Sequence, residues 1–293
     1  MPCGASYIID MQHKQNLAAP LPTYYLSHGG GPWPWMRAQS GSTYDVLDAS
    51  LQALRAELRE RPKAALVVTA HWEAEDFAFS SASHPGMIYD YYGFPPETYE
   101  IQYPAPGLPE LAQQAHELLA AGGMATSLDP QRGFDHGTFS LMQGIYPEAQ
   151  MPIVQMSIRK DYDPAAHIAA GKLLAPLREQ GVVIIGSGLS FHNLRALGHP
   201  AAQEPSQMFD RWLQDSLVGT SGEERATRLL QWESAPAARI AQPREDHLMP
   251  LHVAVGAAEG GAGSMIYHED HFMGVAASSF RFGAAPQPVE EAA

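Results

Sequence analysis

The sequence predicts a single α/β domain with a largely parallel central sheet flanked by helices. Strand-like and helix-like segments alternate along most of the 293 residues, which is the pattern of successive βαβ units. Two strand-like segments, KAALVVTAHWE and VVIIGSGLSFHN, contain continuous apolar runs, as expected for parallel strands buried on both faces. No linker divides the chain, so we expect an N-terminal extension (1–20), one domain (21–283) and a C-terminal tail (284–293).

The first half of the chain supplies two of these strands. TYYLSHGGG is predicted to be a short strand that runs into a glycine loop. STYDVLDASLQALRAELRER is predicted to be a helix, because its apolar residues recur at helical spacing up to Pro62. KAALVVTAHWE is predicted to be a strand that ends at His71, and residues 90–107 (YDYYGFPPETYEIQYPAPG) to be a long ordered loop. LPELAQQAHELLAAGG is predicted to be a helix that ends at its two glycines.

The second half continues the alternation. RGFDHGTFSLMQGIYPEA is predicted to begin as a loop and to become a short helix, followed by the strand PIVQMSI, the helix PAAHIAAGKLLAPLREQG and the strand VVIIGSG. Residues 203–232 are predicted to be helical, and DHLMPLHVAVGAAEGG to be a helix with an early proline. GSMIYHED and GVAASSFRFG are predicted to be the closing strands.

The composition argues against several classes of partner. The chain carries 18 Lys and Arg against 32 Asp and Glu, a formal charge of −14, so we expect neither nucleic acid nor an anionic membrane to bind it. Its one cysteine, Cys3, permits no intrachain disulfide and no thiolate metal cluster. The start of the sequence lacks the features of a secretory signal, and no apolar run approaches the ~20 residues of a membrane span. These observations predict a cytoplasmic protein.

Histidines that follow predicted strands are the main functional signal. His28, His71 and His192 each follow a different strand, in SHGGG, TAHWE and GLSFHN. Because ligands of open α/β sheets bind outside the carboxyl ends of the strands, we expect these three side chains on one rim. His247 in PREDHLMP and His136 in GFDHGTFS are further candidates. The glycines after His28 are expected to leave room for a ligand.

These histidines admit two interpretations. Imidazole is the commonest protein ligand of metal ions, and clusters of histidine and carboxylate suit zinc, iron, nickel or copper. However, no compact ligand spacing such as HExxH is present, so the residues alone leave scattered structural histidines as an alternative. The other histidines are interpreted first as structural, with His116 and His167 expected on helix surfaces. Asp246 is either a loop acid or a carboxylate that fixes the tautomer of an imidazole.

Six stretches, in this order, carry a resemblance to a known family. They are LSHGGGP, TAHWE, YDYYGFPPETYEIQYPAPG, GFDHGTFS, GSGLSFHNLR and EDHLMPL, spread over residues 22 to 282. Together they resemble the class III extradiol ring-cleavage dioxygenases, specifically the branch typified by DOPA 4,5-dioxygenase. The resemblance implies an enzyme with a non-haem metal centre that opens a catechol with O2 next to its hydroxyl pair.

Site residues follow from the resemblance, position by position. It implies that His28, His71 and His247 hold the metal ion. His192 matches the acid/base histidine, which in this branch is also described as a metal ligand, and His136 matches a histidine that contacts substrate or oxygen. Many members of the superfamily use two histidines and one carboxylate, whereas the third position here is a histidine. Three neutral ligands also suit Zn(II), although ring opening requires Fe(II) or another redox metal.

Substrate contacts and proton transfer are expected from the same resemblance. The loop 90–107, including Tyr92, is expected to wall the catechol ring, unless it is a rigid surface loop packed by its own tyrosines; Tyr267 is a second candidate contact. His192 is the first choice as the base and His136 the second, because an imidazole titrates near neutral pH.

Two other functions are still open at this point. Three histidines on zinc can activate water, which would make a zinc-dependent hydrolase, and the same fold can serve a non-catalytic binding protein. The sequence also leaves open which catechol is the substrate and whether the protein is a homo-oligomer.

Overall fold

A mixed eight-stranded sheet forms the centre of the computed structural model, which describes residues 19–58 and 62–285. Its strands are β1 (Thr23–Ser27), β2 (Ala64–Ala74), β3 (Phe77–Ser80), β4 (Thr126–Asp129), β5 (Ile153–Arg159), β6 (Val182–Gly188), β7 (Gly263–Phe272) and β8 (Val275–Phe282). Their order across the sheet is β4-β3-β5-β2-β6-β1-β8-β7. Most of the predicted extension and tail, residues 1–18 and 286–293, lies outside the described residues.

The parallel part of the sheet lies in its middle. β5, β2, β6 and β1 run parallel to one another, which confirms the predicted fold class. On one side β8 and β7 continue the sheet in antiparallel pairs. On the other side β3 pairs antiparallel with β5, and β4 lies parallel to β3. The sequence did not predict β3 and β4, because each is only four residues long and so short a segment carries little periodic signal.

Helices cover both faces of the sheet. They are α1 (Arg37–Ser40), α2 (Asp45–Leu58), α3 (Pro109–Ala121), α4 (His136–Ile145), α5 (Pro164–Leu174), α6 (Gln203–Leu217), α7 (Gly222–Leu230), α8 (Ala238–Ala241) and α9 (Met249–Ala257). In β2, Leu66 and Val68 pack in a core with residues of α3, α5, α6 and α9, whereas Val67 packs in a second core with residues of α2 and α4. This two-sided burial explains why β2 reads as a continuous apolar run. None of the helices within residues 19–58 and 62–285 is long and apolar enough to cross a membrane.

An irregularity in β2 redirects the end of this strand. Val68 pairs with Met156 of β5, but the next pair joins Glu73 to Ile158, so five residue steps of β2 correspond to two of β5. The pairing of β2 with β6 ends at Thr69. His71 lies inside this stretch, and the strand continues past its predicted end to Ala74. Such bulges re-aim side chains near the end of a strand, and this one lies at the rim where the histidines were expected.

His167 is buried in α5, so the prediction that it lies on a helix surface was wrong. Its Nε2 accepts a hydrogen bond from the N–H of Arg159 at 3.1 Å, and its Nδ1 lies 2.7 Å from the carbonyl oxygen of Asp163. The ring therefore carries its proton on Nδ1. Burial lowers the pKa of His167 to about 4, which keeps the imidazole neutral near pH 7.

We expect this buried ring to make stability depend on pH. Between about pH 6.5, where an unfolded histidine titrates, and about pH 4, the unfolded chain binds a proton that the folded ring excludes. Stability is therefore lost as the pH falls through this window. His167→Leu should destabilise the protein most near neutral pH and less at about pH 5, as measured by urea unfolding with a chelator present. The exposed His84→Leu serves as the control, and a destabilisation by His167→Leu that is independent of pH would contradict the assignment.

Candidate metal centre

The structure brings five histidines together at the carboxyl ends of the central strands. His28 directly follows β1, His71 lies in β2, His136 begins α4, His192 follows β6 and His247 precedes α9. The ring centroid of His71 lies 4.9 Å from that of His28, 4.8 Å from that of His247 and 4.0 Å from that of His136. The convergence expected from the fold is therefore present, although these residues are far apart in the sequence.

Nε2 of His71 lies close to the Nε2 atoms of two other histidines. Nε2 of His71 lies 3.3 Å from Nε2 of His28 and 3.2 Å from Nε2 of His247. Ligands at the ~2.0–2.1 Å of a zinc–nitrogen bond are about 3.3 Å apart in a tetrahedral arrangement. Both spacings are therefore those of neighbouring ligands on one divalent cation, and the imidazole donor set suits Fe(II) as well as Zn(II). Two sets of three residues, His28 with His71 and His136, and His192 with Asp246 and His247, also bring their ligand atoms within 4.8 Å of one another.

Burial keeps the imidazoles of His28 and His247 neutral. Burial, and then the charge of neighbouring imidazoles, lowers the pKa of His28 and of His247 well below the ordinary histidine value. In His71 burial also lowers the pKa, but Asp90 and Asp135 together outweigh it, so the pKa is raised. A neutral imidazole has a lone pair for a metal ion, whereas a protonated one has none.

One carboxylate, that of Asp90, contacts two of the five histidines. Its Oδ1 accepts a hydrogen bond from the N–H of His136 at 3.0 Å and lies 2.8 Å from His136 Nδ1, while its Oδ2 lies 3.1 Å from His71 Nδ1. Burial raises the pKa of Asp90, but the hydrogen bonds with His136 and His71 outweigh burial and lower it far below its usual range. Sequence reasoning missed Asp90, because a single acid among the aromatic residues of MIYDYYGFP has no recognisable ligand spacing.

A second carboxylate, Asp246, lies between His192 and His247. Its Oδ1 accepts a hydrogen bond from the N–H of His247 at 2.9 Å and lies 3.5 Å from His192 Nδ1, and its Oδ2 lies 3.2 Å from His247 Nδ1. Burial raises the pKa of Asp246, but the two imidazoles outweigh burial and lower it. The ring of His192 stacks on that of His247 with centroids 3.2 Å apart, so His192 lies directly beside His247.

A side-chain hydrogen bond joins the start of α4 to β2 beside His71. Asp135 caps this helix: its Oδ1 accepts hydrogen bonds from the N–H of Thr138 at 3.2 Å and from the hydroxyl of Thr69 at 2.8 Å. A side chain at Gly137 would come within 2.8 Å of the His71 ring, so glycine permits this close approach. The helix thereby brings its first residue into the cluster.

The glycines after His28 make room for the protein's own aromatic rings, so the prediction that they leave room for a ligand was wrong. A Cβ atom would lie 2.5 Å from the Trp33 ring at Gly29 and 2.6 Å from the Phe94 ring at Gly31. Both glycines have positive φ, 76° and 51°. The indole N–H of Trp33 donates to the carbonyl oxygen of His28 at 2.8 Å. The loop therefore holds the backbone of His28 by aromatic packing.

The two predicted substrate contacts do not join the cluster. Tyr92 is 91% exposed, whereas the ring of Tyr91 lies 5.9 Å from that of His136. Tyr267 is buried in β7 and donates to Glu269 at 3.1 Å. Among the described residues, neither Tyr92 nor Tyr267 makes a hydrogen bond or a ring contact with any of the five histidines.

The loop 90–107 is packed by its own tyrosines, as one of its two interpretations expected. Rings of Tyr91 and Tyr99 pack 5.3 Å apart, as in a loop held by its own tyrosines. The hydroxyl of Tyr91 donates to the carbonyl oxygen of Thr98 at 2.5 Å. At the same time the loop supplies Asp90 and Tyr91 to the surroundings of His136.

Comparison with known proteins identifies relatives over nearly the whole described chain. Residues 22–283 match the family described as the catalytic LigB subunit of aromatic ring-opening dioxygenase. The dioxygenase tasH of Hapsidospora irregularis is 36% identical over 279 residues, which cover 90% of this chain and 86% of that protein. The 4,5-DOPA dioxygenase extradiol of Beta vulgaris is 34% identical over 268 residues, with coverage of 89% and 96%.

Bacterial proteins are also similar. A 4,5-DOPA dioxygenase extradiol of Escherichia coli K12 is 32% identical over 249 residues, which cover 82% of this chain and 86% of that protein. The crystal structure of an uncharacterized protein from Escherichia coli K12 superimposes with a TM-score of 0.69 at 27% identity, covering 90% of this chain and 100% of that one.

We expect His71→Ala to abolish stoichiometric binding of Fe(II) or Co(II), because this substitution removes the nitrogen that lies between the other two. Titration calorimetry of the apoprotein, with the metal content measured after dialysis, tests this expectation. His84→Ala, at an exposed position, should bind metal like the wild type. Tight binding by His71→Ala would show that His28, His71 and His247 do not form the metal site.

Proposed function

The chain belongs to the family of the catalytic LigB subunit of aromatic ring-opening dioxygenase, and from this premise we propose that it opens a catechol with O2 next to the hydroxyl pair, at a metal ion held by His28, His71 and His247. The observation that carries the proposal is the contact of their Nε2 atoms at 3.2 and 3.3 Å. The names of the Beta vulgaris and Escherichia coli relatives support the extradiol position and the catechol substrate.

Residues of the chain prepare this site for its cofactor. Fe(II), when bound, would supply the redox chemistry between catechol and O2, which Zn(II) on the same ligands would not. The protein holds His28 and His247 neutral by burial, so their Nε2 lone pairs are available. Burial of the rings also excludes water from the ligand atoms, which strengthens electrostatic interactions there.

His192 is the proposed proton-transfer group. Its side chain is 16% exposed, so a substrate can reach it more easily than the buried His28 or His247. Its Nδ1 lies 3.5 Å from Asp246, and its Nε2 has no partner among the described residues. Nε2 would accept a proton from a catechol hydroxyl and later return it to the ring-opened product, and Asp246 would stabilise the imidazolium formed in between.

His136 is the proposed contact to substrate or oxygen. Asp90 fixes the ring through Nδ1 at 2.8 Å, which leaves Nε2 as the nitrogen that can form a hydrogen bond to a ligand. The ring of Tyr91, 5.9 Å away, offers an aromatic wall on this side of the site.

The two other functions that the sequence left open do not appear in the names of the three curated relatives described above. The proteins from Hapsidospora irregularis, Beta vulgaris and Escherichia coli named above all carry dioxygenase names, and none is named a hydrolase or a binding protein. We therefore carry only the dioxygenase forward.

A reconstitution experiment tests the function. Apoprotein is loaded with Fe(II) without oxygen and is then mixed with O2 and catechols that carry neutral, acidic or amino-acid substituents. We expect equal consumption of O2 and catechol, a yellow semialdehyde product, and both atoms of ¹⁸O2 in that product. The Zn(II)-loaded protein is the matched inactive control. Absence of oxygen uptake with every catechol, or formation of a colourless diacid, would contradict the proposal.

We expect His136→Ala to keep the metal but to lower kcat about 10²- to 10⁴-fold, the range for the loss of a group that donates or accepts a proton. Steady-state kinetics on the best catechol of the panel and metal analysis of the same sample measure both effects. The exposed His84→Ala is the control for loss of an imidazole. Loss of the metal in His136→Ala would instead place this histidine among the metal ligands.

A further inference from the structure

We propose that Asp90 is a positioning residue that fixes the tautomers of His71 and His136. Its carboxylate holds one metal-ligating imidazole and one imidazole of the substrate side with the proton on Nδ1, so that Nε2 is free to bind the metal ion or a ligand. The inference rests on the ligand set of the function proposed above, and it extends that function to one residue outside the ligand set.

The tautomer of His71 follows from its contacts. A carboxylate can only accept hydrogen bonds, so an Nδ1 atom that lies 3.1 Å from Asp90 Oδ2 is the protonated nitrogen of a neutral ring. Nε2 of the same ring is then deprotonated, which is what its contacts of 3.3 and 3.2 Å with His28 and His247 require if a cation is to bind there. His136, with Nδ1 2.8 Å from Asp90 Oδ1, is held in the same tautomer.

Asp246 lies near two imidazoles on the other side of the cluster, but with longer contacts. In both residues Oδ1 accepts a hydrogen bond from a backbone N–H. The same oxygen also lies near an imidazole outside the proposed ligand set, which is His136 for Asp90 and His192 for Asp246. In both, Oδ2 faces Nδ1 of a ligand, His71 at 3.1 Å or His247 at 3.2 Å. Among the described residues, Nδ1 of His28 and Nδ1 of His247 both lack a partner with hydrogen-bond geometry. Asp246 Oδ2 therefore only lies near Nδ1 of His247, at 3.2 Å.

The charge balance around these carboxylates supports a role toward the imidazoles. The side chains of Asp90 and Asp246 are only 19% and 11% exposed, and within the described chain no Lys or Arg side chain lies within 4.0 Å of either. Asp135 in the same region is different, because it pairs with Arg132 at 2.7 Å. Buried carboxylates need compensating partners, and for Asp90 and Asp246 those partners are histidines.

An amide at position 90 would separate the two imidazoles of this carboxylate. Asn offers one acceptor oxygen and one donor NH2. The N–H and Nδ1–H of His136 both point at Oδ1, so the amide oxygen should occupy that position and the NH2 should face Nδ1 of His71. His71 would then accept at Nδ1 and carry its proton on Nε2, where the proton would occupy the metal position.

The experiment reads the tautomers directly. In apoprotein labelled with ¹⁵N-histidine, at alkaline pH where the rings are neutral, two-bond ¹H–¹⁵N correlations distinguish the two tautomers, with assignments from His71→Gln and His136→Gln. We expect Nδ1–H in both rings of the wild type. In Asp90→Asn, His71 should change to Nε2–H while His136 does not, and Co(II) affinity should fall about 10- to 100-fold.

The matched control is Asp76→Asn, which removes one acidic group at an exposed position five residues from His71 and should leave tautomers and affinity unchanged. A wild-type His71 with its proton on Nε2 would overturn the proposal, even if Asp90→Asn does not fold. So would an Asp90→Asn protein with wild-type Co(II) affinity, or one that loses affinity without a tautomer change. Neither readout requires turnover. Failure of the protein to open any catechol would therefore not affect the tautomer result, and a negative tautomer result would not contradict ring opening.

Discussion

The short distances between Nε2 of His71 and the Nε2 atoms of two other histidines are the constraint on which this structure depends. Nε2 of His71 lies 3.3 and 3.2 Å from the Nε2 atoms of His28 and His247. In a buried, poorly polarisable environment, lone pairs at this spacing repel one another, and a divalent cation among them converts the repulsion into attraction. The surroundings serve the same requirement, because burial keeps His28 and His247 neutral and carboxylates face the Nδ1 atoms of His71 and His247.

The fold meets this constraint with local departures from regular structure at the carboxyl ends of parallel strands. The irregular pairing of β2 after Val68 places His71 at the rim. Gly137 lets the first turn of α4 approach that ring, and aromatic packing against Gly29 and Gly31 holds the loop after His28. In β2 regular strand pairing is lost, and at Gly29, Gly31 and Gly137 a side chain is absent. Each of these local features helps to position an imidazole of the cluster.

Sequence reasoning recovered the parts of the molecule that have a periodic or positional signal. Continuous apolar runs predicted the parallel centre of the sheet, and the rule for open α/β sheets placed His28, His71 and His192 on one rim. Asp90 was missed because its partners are joined to it only by tertiary structure. The burial of His167 and the packing of the glycine loop were predicted wrongly for a related reason. In both cases the outcome depends on which residues, distant in sequence, pack against the segment.

Anomalous diffraction at the iron edge, from crystals grown without oxygen in the presence of Fe(II), tests the central claim most directly. The account predicts one strong peak at bonding distance, about 2.0–2.2 Å, from Nε2 of His28, His71 and His247. A peak bound instead through Asp246 and His192, or crystals that hold no iron between the three rings, would contradict it.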